Sequence, residues 1–83
     1  MYIVVPYQMF DTQQNILFYE DGECIKTDYV ATSNLATALA SYCSESEVSK
    51  INIIGNPIYL EKIKSQMYSK FTSSDVEVNI IER

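Results

Sequence analysis

The sequence predicts an α/β (α+β) fold with one five-stranded mixed sheet and the element order β-β-β-α-β-α-β. Three observations lead to this prediction. An Asp-Gly pair joins two strand-like runs, two segments repeat apolar residues at helical spacing, and a β-branched run follows each of those segments. Because a chain of 83 residues has room for one core only, residues 1–83 are expected to form a single domain.

The first three strands are predicted from the N-terminal third of the chain. The run YIVV at 2–5 is β-branched and apolar, and Pro6 after it cannot donate to a ladder. The pair Asp21-Gly22 is the preferred sequence for a two-residue type I′ turn between strands. That turn predicts a register in which Glu20 faces Glu23, Tyr19 faces Cys24, Phe18 faces Ile25, and Leu17 faces Lys26.

Two helices are predicted from apolar residues that recur three or four positions apart. Ser33 or Asn34 can cap the first helix, whose apolar positions are Leu35, Leu39, Tyr42 and Cys43. The second helix runs from Pro57 to about Phe71, and the polar run TSSD at 72–75 ends it. Its apolar stripe consists of Leu60, Ile63, Met67 and Phe71. The strands after the helices are KINIIG, 50–55, and VEVNII, 76–81.

The connections between these elements predict the order of the strands. Short turns join the first three strands into an antiparallel meander, and the last two strands enter through helical crossovers. Such crossovers are almost always right-handed, so two that advance in the same direction place both helices on the same side. The prediction is a sheet of order 3-2-1-4-5 with both helices on one face.

This arrangement resembles the ribonuclease H-like fold, at the level of topology and over nearly the whole chain. Locally, TSNLATAL at 32–39 is similar to the Thr-Asn-Asn-x-x-Glu helix entry of ribonuclease H, and IIGNPIYL at 53–60 is similar to its strand that ends in a catalytic Asp. The resemblance implies carboxylates that hold two metal ions. Here the first strand, IVVPY, has none, Thr37 stands where the helix Glu would be, and Asn56 stands where the Asp would be.

Composition excludes further classes of function. The formal net charge is −5, and this opposes binding to the phosphates of nucleic acid. The chain has no histidine, no glycine-rich phosphate loop and no metal-ligand spacing, so we expect no catalytic residues, no metal and no cofactor. Residues 1–47 hold seven acidic residues against one lysine, whereas residues 48–83 hold four acidic residues against five basic ones.

The expected setting is the cytoplasm, without a membrane partner. No run approaches the roughly 18 apolar residues that a spanning helix needs. The N-terminus, MYIVVPYQMF, lacks the basic region and the cleavage site of a signal peptide. Cys24 and Cys43 form no Cys-x-x-Cys pair, and two cysteines are few for a small secreted scaffold.

The sheet face away from the helices is the candidate binding surface. Tyr2, Val4, Leu17, Tyr19 and Cys24 point there, or else Ile3, Val5 and Tyr7 do; either set is apolar for a face in contact with water. Seven tyrosines add to this, because tyrosine buries area at interfaces while keeping a polar tip. We therefore expect a small non-enzymatic interaction module, which forms a homodimer or binds a protein partner through this face and its acidic N-terminal half.

Two alternatives and one compositional similarity accompany this prediction. Gly55, Asn56 and Pro57 lie at the carboxyl end of the fourth strand, where open α/β sheets bind small ligands or nucleotides. Asn56 as N-cap, Pro57 as first helical residue and Gly55 as a freely turning residue also explain this triplet by geometry alone. A degenerate nuclease with displaced carboxylates such as Asp11 or Asp28 is the other alternative. The short, Asn- and Tyr-rich chain is similar to small phage or mobile-element proteins, including host-defence inhibitors.

Overall fold

The computed structural model describes residues 1–8, 10–70 and 76–82, and it has the predicted order of elements. The strands are β1 (Tyr2–Val4), β2 (Gln13–Glu20), β3 (Glu23–Ala31), β4 (Lys50–Gly55) and β5 (Glu77–Glu82), and the helices are α1 (Leu35–Glu45) and α2 (Pro57–Lys70). A single 3-10 turn, Thr32–Asn34, leads into α1. The predicted helical position of Phe71 and the helix break at 72–75 lie outside the described residues.

The strands form one mixed sheet in the order β3-β2-β1-β4-β5, which confirms the predicted order. β2 pairs antiparallel with both β1 and β3, whereas β4 pairs parallel with both β1 and β5. The short strand β1 therefore lies at the centre, where the antiparallel meander meets the two strands that follow the helices.

Both helices pack against the same face of the sheet, as predicted. Alternate residues of the strands point to that face and are buried, namely Ile3, Val5, Ile16, Phe18, Ile51, Ile53 and Val78. They form one cluster with Leu35, Ala36, Leu39 and Cys43 of α1 and with Leu60, Ile63 and Met67 of α2. Because one continuous core contains residues from both helices, the opposite face of the sheet has no layer of helices on it.

The turn between β2 and β3 is of the predicted type. The φ angles of Asp21 and Gly22 are 52° and 81°, and two successive positive values are the mark of a type I′ turn. The predicted pairs of Glu20 with Glu23 and of Tyr19 with Cys24 are confirmed.

Beyond these two pairs the predicted register is wrong, because β3 contains a bulge at Ile25. Lys26 lies opposite Phe18, and Thr27 lies opposite Leu17, so Ile25 and Phe18 do not pair. The Lys26 ammonium lies 5.5 Å from the centre of the Phe18 ring, and the long lysine stem covers that buried ring while its charge stays in water. A bulge adds one residue to a strand, and here it exchanges an isoleucine for a lysine opposite Phe18.

A buried glutamine organises the connection between β1 and β2. Gln14 is only 1% exposed, and its side chain accepts a hydrogen bond from the Gln8 backbone N–H at 2.9 Å. Its amide nitrogen donates to the carbonyl oxygens of Gln8 (2.9 Å) and Asp11 (3.3 Å) and to the Thr32 hydroxyl (3.1 Å). β2 consequently begins at Gln13, inside a segment whose sequence is typical of a turn.

The end of α1 has the hydrogen bonds of a Schellman motif, but no glycine. Val48 N–H donates to the Cys43 carbonyl oxygen at 3.2 Å, and Ser46 N–H donates to that of Tyr42 at 3.0 Å. Glu47 occupies the left-handed position of the motif with φ 54°, a conformation that favours glycine. The backbone of Glu47 is therefore strained, and the well-packed end of the helix holds it in place.

Candidate interaction surface

The sheet face away from the helices, here called the open face, carries two complete cross-strand rows of side chains. Paired positions on neighbouring strands place five side chains side by side in each row. The first row consists of Thr27, Leu17, Val4, Ile54 and Ile81. The second row consists of Cys24, Tyr19, Tyr2, Asn52 and Asn79. None of these ten side chains carries a charge at neutral pH.

The first row is the apolar part of the open face. It crosses all five strands, and four of its five members are aliphatic. Ile81 at its outer end is 38% exposed, whereas Leu17, Val4 and Ile54 are half-buried by their neighbours in the sheet. Since no helix covers this side, the exposed part of the row lies against water.

The second row adds aromatic and amide groups. Tyr2 and Tyr19 are directly opposite each other on β1 and β2, and Tyr2 is 48% exposed. Asn52 Nδ2 donates to the Met1 carbonyl oxygen at 3.4 Å. This row therefore combines exposed ring surface with polar tips, a composition typical of protein interfaces.

Between the two rows lies a shallow depression of about 340 Å³, open to solvent. Its lining consists of Tyr2, Val4, Tyr19, Gly22 and Ile54. The lining contains no ionisable group besides the two phenols, and no backbone or side-chain cluster that could perform acid–base chemistry. The depression is suited to an apolar side chain from another molecule rather than to a reaction.

The charges on the open face neutralise each other at one margin. Lys50 and Glu77 pair between β4 and β5, with 3.6 Å between Lys50 Nζ and Glu77 Oε2. The same carboxylate accepts a hydrogen bond from Asn79 Nδ2 at 3.1 Å. Both charged side chains are 62% exposed, so this pair contributes little to stability, but it leaves the margin without net charge.

The predicted binding residues all lie on this one face. Tyr2, Val4, Leu17, Tyr19 and Cys24 belong to the two rows, and three of them line the depression. The alternative set is wrong, because Ile3 and Val5 are fully buried beneath the helices and the Tyr7 ring stacks on Tyr59 of α2, with 3.6 Å between ring centres. That these residues bind a partner stays a prediction.

Sequence reasoning missed the contribution of β4 and β5 to the open face. Asn52, Ile54, Asn79 and Ile81 complete the two rows. The alternation of asparagine and isoleucine in NII at 52–54 and again at 79–81 was the available signal. The shared alternation predicts one face for each strand, but only the pairing of Ile54 with both Val4 and Ile81 shows that the face is continuous.

The Gly55-Asn56-Pro57 turn is fully explained by packing and capping. Asn56 Oδ1 accepts a hydrogen bond from the Tyr59 backbone N–H at 3.1 Å, which confirms its role as N-cap, and Pro57 is the first residue of α2. The freedom predicted for Gly55 is wrong, since only Gly22 of the two glycines has a positive φ. A Cβ on Gly55 would lie 2.7 Å from the Val5 carbonyl oxygen, so close approach of the backbones requires this glycine. Ligand binding at the turn stays a prediction.

The titratable groups with shifted pKa values lie beneath the sheet or beside α2. Burial raises the pKa of the Cys43 thiol, which keeps it protonated and a poor nucleophile at neutral pH. Burial also raises the pKa of Tyr59, and Tyr7 beside it raises that pKa further. Within residues 1–8, 10–70 and 76–82, no three Cys, Asp or Glu side chains form a group that could hold a metal ion.

Comparisons with known proteins give no family assignment. No protein-family model, no curated protein and no solved structure gives a significant match to the chain. Neither α1 nor α2 has the length and apolar character needed to cross a membrane, a statement that covers the described part of the chain.

Proposed function

We propose that this protein is a small non-enzymatic interaction module whose open face binds a protein surface, either that of a second copy or that of another protein. The observation that carries the proposal is the uncharged apolar row from Thr27 to Ile81, which crosses the whole sheet without a covering layer. A surface of this kind loses unfavourable contact with water when a partner covers it.

The dimensions of the open face indicate the strength of such binding. Five strands about 4.8 Å apart span roughly 20 Å, and two rows of side chains about 7 Å apart extend the patch to about 300 Å². Patches of about 300–600 Å² are often functional, but a stable interface buries about 800 Å² on each partner. The two rows therefore suit a reversible complex, unless the partner also contacts the surrounding residues.

The acidic N-terminal half supports a partner with a basic rim. Glu20, Asp21 and Glu23 lie at the exposed tip of the β2–β3 hairpin, next to Gly22 at the margin of the depression. Opposite charges at the rim of an interface raise the association rate and exclude partners of the same sign. Under this proposal, the open face supplies the buried contact and the hairpin tip supplies the steering.

The finer assignments belong to the same proposal. The strand order 3-2-1-4-5, with antiparallel pairing on one side and parallel pairing on the other, supports a ribonuclease H-like fold without its carboxylates. We propose a cytoplasmic protein of the phage or mobile-element accessory class, including host-defence inhibitors, and its composition supports that class. A protein of this class would bind its target rather than modify it.

The test is to place one negative charge on the open face and compare it with the same charge elsewhere. Tyr2→Glu and Ile81→Glu act on partly exposed members of the two rows. Ile58→Glu is the matched control, because Ile58 is 76% exposed on α2 and lies outside the open face. We expect the two face variants to lose self-association, measured by sedimentation, or capture of a protein partner, while the control behaves as the unmodified chain. Equal binding by all three variants would refute the role of the open face.

A further inference from the structure

A second, independent surface is the free edge of the sheet along β3. This strand has nine residues and lies at one end of the sheet, where it pairs only with β2 within the described part of the chain. Six of its nine residues are exposed in an unbroken or nearly unbroken run from Glu23. An exposed edge presents unpaired N–H and C=O groups that can pair with another strand.

The opposite edge of the sheet is partly occupied. The Val78 backbone N–H of β5 donates a hydrogen bond to the Tyr68 hydroxyl of α2 at 3.2 Å. A side chain of the protein itself thus occupies a donor that an incoming strand would need. β3 has no such side chain on its outer donors among the described contacts, so it is the edge that is better suited to pairing.

Symmetry restricts how two copies of β3 can pair. In an antiparallel pair related by a two-fold axis perpendicular to the sheet, the axis passes through one residue of β3, which faces its own equivalent. Thr27 is the middle residue of Glu23–Ala31, so the register centred on Thr27 gives the greatest overlap of the two strands. In this register Lys26 faces Asp28 of the second copy, and Asp28 faces Lys26 of the second copy.

The charges of β3 select the same register. A register centred on Lys26 would place two lysines opposite each other, and one centred on Asp28 would place two aspartates opposite each other. Like charges directly opposite each other are destabilising, whereas opposite charges are favourable. The regular part of the strand contains all three central residues, since the bulge at Ile25 lies nearer the hairpin tip.

We propose that β3 pairs antiparallel with β3 of a second copy of this chain, in the register centred on Thr27. The two sheets then form one continuous ten-stranded sheet whose helices lie on the same side. Lys26 and Asp28 already lie 3.4 Å apart within one chain, and their side chains remain 49% and 40% exposed, so each can also contact its counterpart in the second copy. Two ion pairs then become a cyclic group of four charges across the axis.

The exposed apolar residues of β3 agree with this pairing. Ile25 is 49% exposed and Tyr29 is 64% exposed, both unusual values for large apolar side chains on a strand. In the register centred on Thr27, Ile25 of one copy lies opposite Tyr29 of the other. Aromatic and β-branched side chains form favourable cross-strand pairs, so the dimer would cover both residues.

Charge exchange gives the experiment. Lys26→Asp places negative charges opposite each other at both symmetric positions, and Asp28→Lys places positive charges opposite each other. We expect each variant alone to dimerise at least about tenfold more weakly than the unmodified chain in sedimentation equilibrium. An equimolar mixture of the two variants should dimerise again, because every pair across the axis is then of opposite sign. The double variant, which exchanges both charges, should dimerise as the unmodified chain does.

Several results would overturn this proposal. A chain that stays monomeric at millimolar concentration is one, and a mixture of the two variants that stays monomeric is another. Asp28→Lys brings the net charge of −5 closer to zero, so a general charge effect would strengthen its association, contrary to our expectation. Because Lys26→Asp also removes the contact with the Phe18 ring, circular dichroism checks its fold, and Asp28→Lys tests the register without that complication. Dimerisation that Tyr2→Glu abolishes and the charge variants leave unchanged would assign the dimer to the open face instead.

Discussion

Replacing Gln14 by leucine should destabilise the protein more than any other change of similar size outside the apolar core. The side chain makes four hydrogen bonds, to Gln8 (two), Asp11 and Thr32. Four hydrogen bonds at a net value of about 1 kcal/mol each amount to roughly 4 kcal/mol. Burying a leucine returns about 2 kcal/mol of transfer free energy, so we expect a net loss of about 2 kcal/mol. That loss is a large part of the roughly 4–12 kcal/mol expected for a domain of this size.

The matched control is the neighbouring residue. Gln13→Leu makes the same chemical change one position away, on a side chain that is exposed. In thermal unfolding followed by circular dichroism, Gln14→Leu should lower Tm by about 8–16 °C relative to Gln13→Leu, since 1 kcal/mol shifts Tm by about 4–8 °C in a domain of this size. Equal Tm values for the two variants would show that the hydrogen bonds of Gln14 do not stabilise the connection between β1 and β2.

An isosteric variant tests the direction of those hydrogen bonds. Gln14→Glu replaces the donating amide by a carboxyl group that would face the carbonyl oxygens of Gln8 and Asp11. Burial and those oxygens should raise the pKa of the new carboxyl above its value of about 4.3 in the unfolded chain. The variant should therefore be most stable at low pH, where the group is protonated, and lose stability as the pH rises through the folded-state pKa. A urea midpoint for this variant that does not depend on pH, relative to the unmodified chain, would contradict the assignment.

Two further predictions concern backbone positions. Gly55→Ala should lower the free energy of unfolding by about 2 kcal/mol, because the new Cβ would lie 2.7 Å from the Val5 carbonyl oxygen; an unchanged urea midpoint would show that the strands separate easily. Glu47→Gly should raise the free energy of unfolding by about 0.5–1 kcal/mol, because glycine adopts φ 54° without strain, whereas Glu47→Ala keeps a Cβ and should give no such gain in the same urea titration.

The two proposed surfaces are compatible and can be separated by experiment. Pairing along β3 leaves the open face uncovered and joins the two open faces into one larger surface across the axis. That surface would approach the roughly 800 Å² per partner of a stable interface. Charge variants at Lys26 and Asp28 act on the edge, whereas Tyr2→Glu and Ile81→Glu act on the face. Each set of variants can therefore fail without deciding the other proposal.

Much of the fold followed from local patterns in the sequence. The Asp21-Gly22 pair predicted a type I′ turn, because few other pairs adopt two positive φ angles, and Asn56 with Pro57 predicted the start of α2. The length of the connections then predicted the strand order, since short turns give antiparallel neighbours and helical crossovers give parallel ones. These predictions succeeded because each depends on residues that are close together in the chain.

The predictions that failed depend on contacts between distant residues. Hairpin chemistry alone pairs Phe18 with Ile25, but packing of α1 over Phe18 accompanies a bulge that brings Lys26 there instead. The polar segment before β2 looked like a turn until the contacts of Gln14 with Thr32, 18 residues away, made it part of a strand. A pattern read along the chain contains no record of such partners.

The sequence by itself determined the elements, the hairpin turn, the helix cap and the order of strands in this protein, because local geometry and chain length control them. Only the tertiary structure decided which side of the sheet lacks helices, and that β4 and β5 extend its apolar row from Val4 through Ile54 to Ile81. It also decided that Gly55 is needed for space rather than for an unusual φ. The physical reason is that exposure and close approach are properties of neighbours in space, and folding sets those neighbours over the whole chain at once.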